Sequence, residues 1–122
     1  MAEAFFNHLN KNMNIKAESA ALLMPQEKMH KLVARVMAER GIDISRNKSK
    51  KVTDEMIKNA NRIILMNPDL LGLSEKFQIP GEKIEVWNVP DVVANENQEN
   101  LERFRRARNL IEEKIRWMVY RF

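Results

Sequence analysis

The sequence predicts an α/β protein of three layers, α/β/α, in which helices flank a small, mainly parallel sheet of about three strands. Short apolar segments of strand type alternate along the chain with longer segments whose apolar residues recur at the helical period. Parallel strands need crossover connections, usually helices, so this alternation favours a parallel sheet. The 122 residues, of which 44% are hydrophobic, are enough for one core and predict a single domain over residues 1–122.

A first helix is predicted in the opening segment, MAEAFFNHLNKN. Ala2, Phe5, Phe6 and Leu9 follow the i, i+3, i+4, i+7 spacing of one apolar helix face. No Ser, Thr, Asp or Asn precedes them as a cap, so the first-turn amides face only the chain's own amino terminus. The opening therefore has the pattern of an element from the middle of a fold.

The next elements are predicted to be a strand, a helix and a loop. The segment NIKAESA, residues 14–20, alternates apolar and polar residues and predicts a short buried strand. A helix follows over residues 25–41, with Pro25 near its start and Gly41 at its end. The basic run from Arg46 to Lys51 predicts a solvated loop.

Two more strands and two short helices are predicted in the middle of the chain. Thr53 should cap a helix. The continuous apolar run Ile63–Met66 predicts a central strand, covered on both faces. Asn67 and Pro68 directly after it should start a short helix, and a further strand is expected over residues 84–87.

The longest helix is predicted at the C-terminal end. Its apolar face consists of Leu101, Phe104, Ile111, Ile115, Met118 and Phe122. Its polar face carries a basic cluster, Arg103, Arg105, Arg106 and Arg108. Acidic residues intersperse this cluster and no aromatic residues interleave it, so we favour a solvated helix face over nucleic-acid binding. A small basic nucleic-acid-binding module remains an alternative function, and binding that weakens steeply with salt is its required signature.

Composition excludes several classes of function. The chain has no cysteine, which excludes disulfides, thiolate metal sites and a cysteine nucleophile within these residues. His8 and His30 have no second ligand at i+3 or i+4, so neither a metal nor a cofactor is predicted. No apolar stretch reaches the roughly 18 residues of a membrane span and no secretory signal is present, so we expect a cytoplasmic protein without a membrane partner.

Seven segments in order resemble one enzyme family: MAEAFF, AESA, VMAERGIDIS, SKKV, ANRIILM, EVWNVPD and FRRARNLIEEKI. They are similar to the low-molecular-weight protein tyrosine phosphatases and to the thioredoxin-coupled arsenate reductases of the same fold. The resemblance implies a phosphate-binding loop of Cys, five residues, Arg and Ser between the first strand and the first helix. In that loop the helix amides hold the oxyanion and lower the pKa of the thiol, which attacks as thiolate. The corresponding residues would all precede Met1, so the first strand, the nucleophile and the arginine are missing.

One catalytic position does match. The family pattern is Trp, two or three residues, then Asp-Pro, and it is similar to Trp87 to Asp91, with Val92 in place of the proline. The resemblance implies that Asp91 is the general acid that protonates a leaving phenolate. On the residues alone, Asp91 could instead cap or turn the loop after Pro90. An acid without a nucleophile does not turn over a phosphoester by this mechanism.

Other positions depart from the family pattern. Ala21 stands where Gly is usual, Asn61 where Asp is usual, and Asn109 where the last helix usually reads Arg-Asp; the resolving cysteines of the reductases are also missing. We interpret the chain as a single truncated phosphatase-like domain that is catalytically incompetent as it stands, a degenerate relative. The alternative is a fragment of an active phosphatase or arsenate reductase, begun at an internal methionine.

Two consequences of this interpretation concern binding. The first-turn amides of Met1, Ala2 and Glu3 are expected to bind phosphate or arsenate weakly, the alternative being a frayed terminus. The resemblance also implies that the missing first strand is interior, so its absence leaves backbone groups of two strands without partners. Either the strand over residues 14–20 moves to pair with Ile63–Met66, or a second chain fills the slot and makes a homodimer.

Overall fold

The computed structural model describes residues 1–22, 31–89 and 98–121. Its helices and strands form two compact units. The helical unit comprises residues 1–19, 31–49 and 98–121, and the strand unit comprises residues 20–22 and 50–89. The elements are α1 (Ala2–Leu9), α2 (Lys31–Ala38), α3 (Asp54–Asn59), β1 (Ile63–Leu65), a 3-10 turn (Pro68–Leu70), α4 (Leu71–Lys76), a second 3-10 turn (Gly81–Lys83), β2 (Ile84–Val86) and α5 (Gln98–Val119). No described helix is long and apolar enough to cross a membrane.

Apolar faces of α1, α2 and α5 form the core of the helical unit. Phe5 and Phe6 of α1 are buried, as the predicted stripe requires. Helix α2 contributes Leu32, Val36 and Met37, and α5 contributes Leu101, Phe104, Ala107, Ile111 and Ile115. The long C-terminal helix is therefore confirmed, and its apolar period correctly predicts which side it buries.

The chain leaves α2 through a glycine turn. Gly41 has a φ of +75°, the left-handed region that favours glycine. Its N–H donates to the carbonyl of Ala38 (2.9 Å), and the N–H of Ile42 donates to that of Met37 (3.1 Å). This pair of bonds is a Schellman cap, so the predicted end at Gly41 is confirmed. The predicted start at Pro25 lies outside the described residues.

A two-stranded parallel sheet is the centre of the strand unit. Ile63 pairs with Ile84 and Leu65 with Val86, and the Trp87 N–H continues the ladder to the Leu65 carbonyl at 2.8 Å. The predicted caps are confirmed: the Thr53 hydroxyl accepts from the Met56 N–H, and the Asn67 side chain accepts from the Asp69 N–H. The predicted fold class, helices with a small parallel sheet, is confirmed as well.

The predicted strand over residues 14–20 is wrong. No strand forms there, and nearby only Ala21 makes an isolated parallel bridge, with Lys51. The alternation of apolar and polar residues does match the side-chain exposure, since Ile15 and Ala17 are half-buried between exposed neighbours. A strand also needs a hydrogen-bonding partner, however, and here the Asn10 amide instead donates to the carbonyls of Asn12 and Ile15, both at 2.9 Å. The suggested pairing of this segment with Ile63–Met66 is therefore also wrong.

Candidate anion site at the start of helix α1

Helix α1 begins at Ala2 with Met1 as its N-cap residue. The Met1 carbonyl accepts the Phe5 N–H at 3.1 Å, and no side chain caps the first turn. The Met1 side chain packs against the core cluster of Leu32, Val36, Leu101 and Phe104. The first-turn amides are thus held in place by packing and lack a side-chain cap, which leaves their partial positive charge for an anion.

The chain's own carboxylate lies at the same helix end. Glu3 is in the first turn, where a negative charge interacts favourably with the helix dipole. Its two oxygens accept from the Ser19 N–H at 3.3 Å and from the Ser19 hydroxyl at 3.2 Å. An incoming phosphate or arsenate would therefore meet electrostatic repulsion from Glu3 beside the amides that attract it. The sequence carries no local signal for this contact, because its partners are 16 residues apart.

The α-amino group adds less positive charge than a free amine would. Burial lowers the pKa of the Met1 amino group, and the nearby Glu3 carboxylate opposes that shift. A larger neutral fraction near neutral pH weakens its attraction for anions.

The predicted general acid, Asp91, lies outside the described residues, as do Pro90 and Val92. The described segment before it is anchored: Trp87 and Val89 are buried, and the Val89 N–H donates to the Met66 carbonyl at 3.0 Å. The role of Asp91 as general acid stays a prediction from the sequence.

The basic cluster of α5 differs from the solvated face that its sequence suggests. Arg108 is 4% exposed, and its guanidinium donates to the Val36 carbonyl at 3.0 Å and to Glu39. Arg105 donates to Glu39 as well, at 2.7 Å. Hydrogen bonds from Arg105 and then from Arg108 lower the pKa of Glu39 to about 2. The sequence does carry a signal for the burial, because Arg108 lies one turn after Phe104 and one turn before Ile111 on the apolar stripe.

Asn109, one of the departures from the family pattern, belongs to the same network. Its side-chain oxygen accepts from Arg40 at 2.9 Å and from two nitrogens of Arg108 at 2.9 and 3.0 Å. A neutral acceptor satisfies two cationic side chains here. Of the other departures, Ala21 makes the bridge with Lys51, and Asn61 is exposed just before β1.

Metal ligation has no support in the described part of the chain. Residues 1–22, 31–89 and 98–121 contain no group of three His, Asp or Glu side chains placed to hold an ion.

A small parallel sheet whose strands are connected through helices and turns places the chain among the α/β proteins. The family model described as low molecular weight phosphotyrosine protein phosphatase matches residues 1–121. The chain belongs to that family. No curated protein matches the sequence.

Solved structures show the same fold at low sequence identity. Wzb of Vibrio vulnificus, in complex with benzylphosphonate, is 18% identical over 99% of this chain and 88% of its own, with a TM-score of 0.79. The YwlE arginine phosphatase of Geobacillus stearothermophilus is 17% identical over 98% and 81%, with a TM-score of 0.82. The low molecular weight protein tyrosine phosphatase of T. tengcongensis is 22% identical over 99% and 88%, with a TM-score of 0.81.

Proposed function

We propose that this 122-residue chain keeps the phosphatase scaffold but performs no phosphoryl or arsenate chemistry by itself. One observation carries the proposal: the chain contains no cysteine. The family mechanism implied by the resemblance starts with a thiolate that attacks the phosphorus or arsenic. A scaffold without that nucleophile can bind an oxyanion but cannot form the covalent intermediate. Cytoplasmic location goes with this proposal and rests on the sequence alone.

What remains is weak, reversible anion binding at the start of α1. The uncapped amides and the helix dipole support it, and the Glu3 carboxylate opposes it. The chain's own negative charge at Glu3 therefore limits the affinity.

Titration with inorganic phosphate and with arsenate, followed by NMR of the Ala2 and Glu3 amides, tests this site. The wild-type chain should show small saturable shifts at high ligand concentration. Glu3→Gln removes the competing charge and should bind several-fold more tightly. Ser19→Ala is the matched control, because it removes the hydroxyl donor at 3.2 Å yet keeps the Glu3 charge, and it should bind like wild type. The absence of saturable shifts in both the wild type and Glu3→Gln would remove the anion site and leave the proposed inactivity standing.

A second candidate is that these residues are part of an active tyrosine phosphatase or arsenate reductase. The observation in its favour is coverage, since the chain spans 81% to 88% of the three solved relatives described above. The nucleotides upstream of the Met1 codon test it. An in-frame Cys, five residues, Arg and Ser, with activity in the chain extended by them, would establish this candidate. A stop codon or unrelated residues would support the inactive scaffold.

Asp91 distinguishes the two candidates as well. In an active extended chain, Asp91→Asn should slow phosphotyrosine hydrolysis by about 100-fold or more, the usual contribution of a general acid. In the inactive scaffold the same substitution should change nothing measurable.

A further inference from the structure

The side of α5 that faces away from the core carries three arginines and two aromatic rings. These residues are spaced by three, four or eleven positions, which are close to whole numbers of helical turns, so they lie along one side of the helix. All of them are exposed. We call them the outer face of α5: Arg103, Arg106, Trp117, Tyr120 and Arg121.

The aromatic rings of the outer face are held in place at its C-terminal end. Trp117 is 62% exposed and Tyr120 is 85% exposed. The Tyr120 N–H donates to the Arg116 carbonyl at 3.1 Å, so the helical backbone continues past the end of α5. The Arg121 guanidinium lies over the Trp117 ring, with its central carbon 3.2 Å from the ring centroid. A guanidinium stacked on an indole forms a flat, positively charged surface, onto which a further planar group can stack.

The acidic residues of α5 leave the outer face with an excess of positive charge. Glu102 forms a salt bridge with Arg105, and Glu112 forms one with Arg116 at 3.3 Å. Between the first and the last arginine of the outer face, Glu113 is the one acidic residue on this side of the helix. Three arginines beside one carboxylate attract an anionic partner.

We propose that the outer face of α5 binds single-stranded nucleic acid, with its arginines on phosphates and the Trp117–Arg121 stack against a base. Proteins that bind single strands combine cations along the backbone with aromatic rings on which bases stack. At 1.5 Å per residue the outer face is about 27 Å long, enough for several consecutive nucleotides. In the sequence the aromatic residues follow the basic cluster and do not interleave it, but the helix brings both onto one side.

An anionic membrane surface offers the same charge, but the geometry of α5 favours a stacked base. A helix that lies on a membrane inserts an apolar face between the lipids, whereas the apolar face of α5 is buried in the core. The Trp117 ring is also covered on one side by the Arg121 guanidinium. The outer face includes neither the α1 anion site nor Asp91, so this inference stands or fails independently of the proposed function.

Fluorescence anisotropy of a labelled oligothymidylate of about 20 nucleotides, at several salt concentrations, tests the charge. Wild type should bind saturably at low salt, with a slope of log K against log salt of about −2, as three phosphate contacts on a single strand require. Arg106→Ala should bring that slope closer to zero by about 0.7. Arg116→Ala is the matched control, because it removes the same charge from the same helix at a side chain bound to Glu112, and it should keep the wild-type slope. Absence of binding at low salt, or equal slopes for the two variants, would overturn the proposal.

Trp117→Ala tests the stacking separately from the charge. It should weaken oligothymidylate binding by about fivefold or more and leave the salt slope unchanged. Its affinity for a duplex of the same length should equal that of wild type, because paired bases present no free face to the ring. Glu113→Gln removes the competing charge and should tighten oligothymidylate binding. An unchanged affinity of Trp117→Ala for oligothymidylate would overturn the proposed stack.

NMR of the wild type provides a test that needs no variant to fold. The indole N–H of Trp117 should shift during titration with oligothymidylate, while that of Trp87, which is 6% exposed, should not. Shifts confined to Trp87, or no shift of either indole, would contradict binding at the outer face. A Trp117 shift with phosphatidylglycerol vesicles and none with oligothymidylate would assign the outer face to a membrane surface and overturn the proposal.

Discussion

The helical unit and the strand unit satisfy their backbone and charged groups in different ways. In the helical unit, helices bond their own backbones, a shared apolar core lies between them, and the buried Arg108 has a carbonyl and a carboxylate as partners. In the strand unit, β1 depends on neighbours from elsewhere, and one of its edges has none among the described residues. A helix forms its backbone hydrogen bonds within itself, whereas a strand needs a second strand as partner. Loss of a partner segment should therefore destabilise the strand unit before the helical unit.

The largest expected effect is in the helical core. Phe5→Ala removes a side chain that is 1% exposed and should lower the free energy of unfolding by about 3 to 5 kcal/mol. Leu71→Ala, at a side chain 43% exposed in the strand unit, is the control and should change it by less than about 0.5 kcal/mol. Urea denaturation measures both. Similar losses of unfolding free energy for Phe5→Ala and Leu71→Ala would contradict the expected difference between the buried and the exposed side chain.

The next largest effect is expected at Arg108. Arg108→Ala leaves the Val36 carbonyl and Glu39 without their buried donor and should cost about 2 to 3 kcal/mol. Arg106→Ala, at an exposed position of the same helix, is the control and should stay within about 0.5 kcal/mol of wild type. Equal midpoints of chemical denaturation for Arg108→Ala and Arg106→Ala would contradict a stabilising role of the buried hydrogen bonds of Arg108.

The same network predicts a dependence of stability on pH. The folded pKa of Glu39, about 2, lies below its ordinary value of 4.5, so its contribution is fully present above pH 4.5. The contribution should be lost progressively as pH falls from about 4.5 to about 2. Glu39→Gln should reduce the slope of stability against pH in this window, measured by urea denaturation at each pH. An unchanged slope in Glu39→Gln would show that other carboxylates cause the acid sensitivity.

The smallest effect concerns a local cap in the strand unit. Thr53→Ala removes the hydroxyl that accepts from the Met56 N–H at 3.2 Å and should cost about 1 kcal/mol. Thr53→Ser keeps the acceptor and should restore most of that loss. If the serine variant were as unstable as the alanine variant, the methyl group and not the cap would carry the effect.

Local signals in the sequence predicted most of the fold. The Thr53 and Asn67 caps, the Gly41 turn and the apolar stripe of α5 each depend on residues within about one or two helical turns, and each is confirmed. The predicted strand over residues 14–20 is wrong because alternation of apolar and polar residues predicts only side-chain exposure. A strand also requires a hydrogen-bonding partner far away in sequence.

The candidate site shows the same limit. The start of α1 was predicted from the spacing of Ala2, Phe5 and Phe6, and the structure confirms it. The contact between Glu3 and Ser19, which weakens the site for anions, spans a loop and leaves no periodic pattern. Burial of Arg108 could have been predicted from its place on the apolar stripe, but its charge suggested a solvated position.

Steady-state hydrolysis of p-nitrophenyl phosphate by this 122-residue chain is the decisive test of whether the scaffold is inactive. We expect product to form at the rate of buffer alone, at every substrate concentration and with no difference between wild type and Asp91→Asn. Saturable turnover by the wild type that Asp91→Asn reduces would contradict it, because these residues would then catalyse phosphate ester hydrolysis without a cysteine.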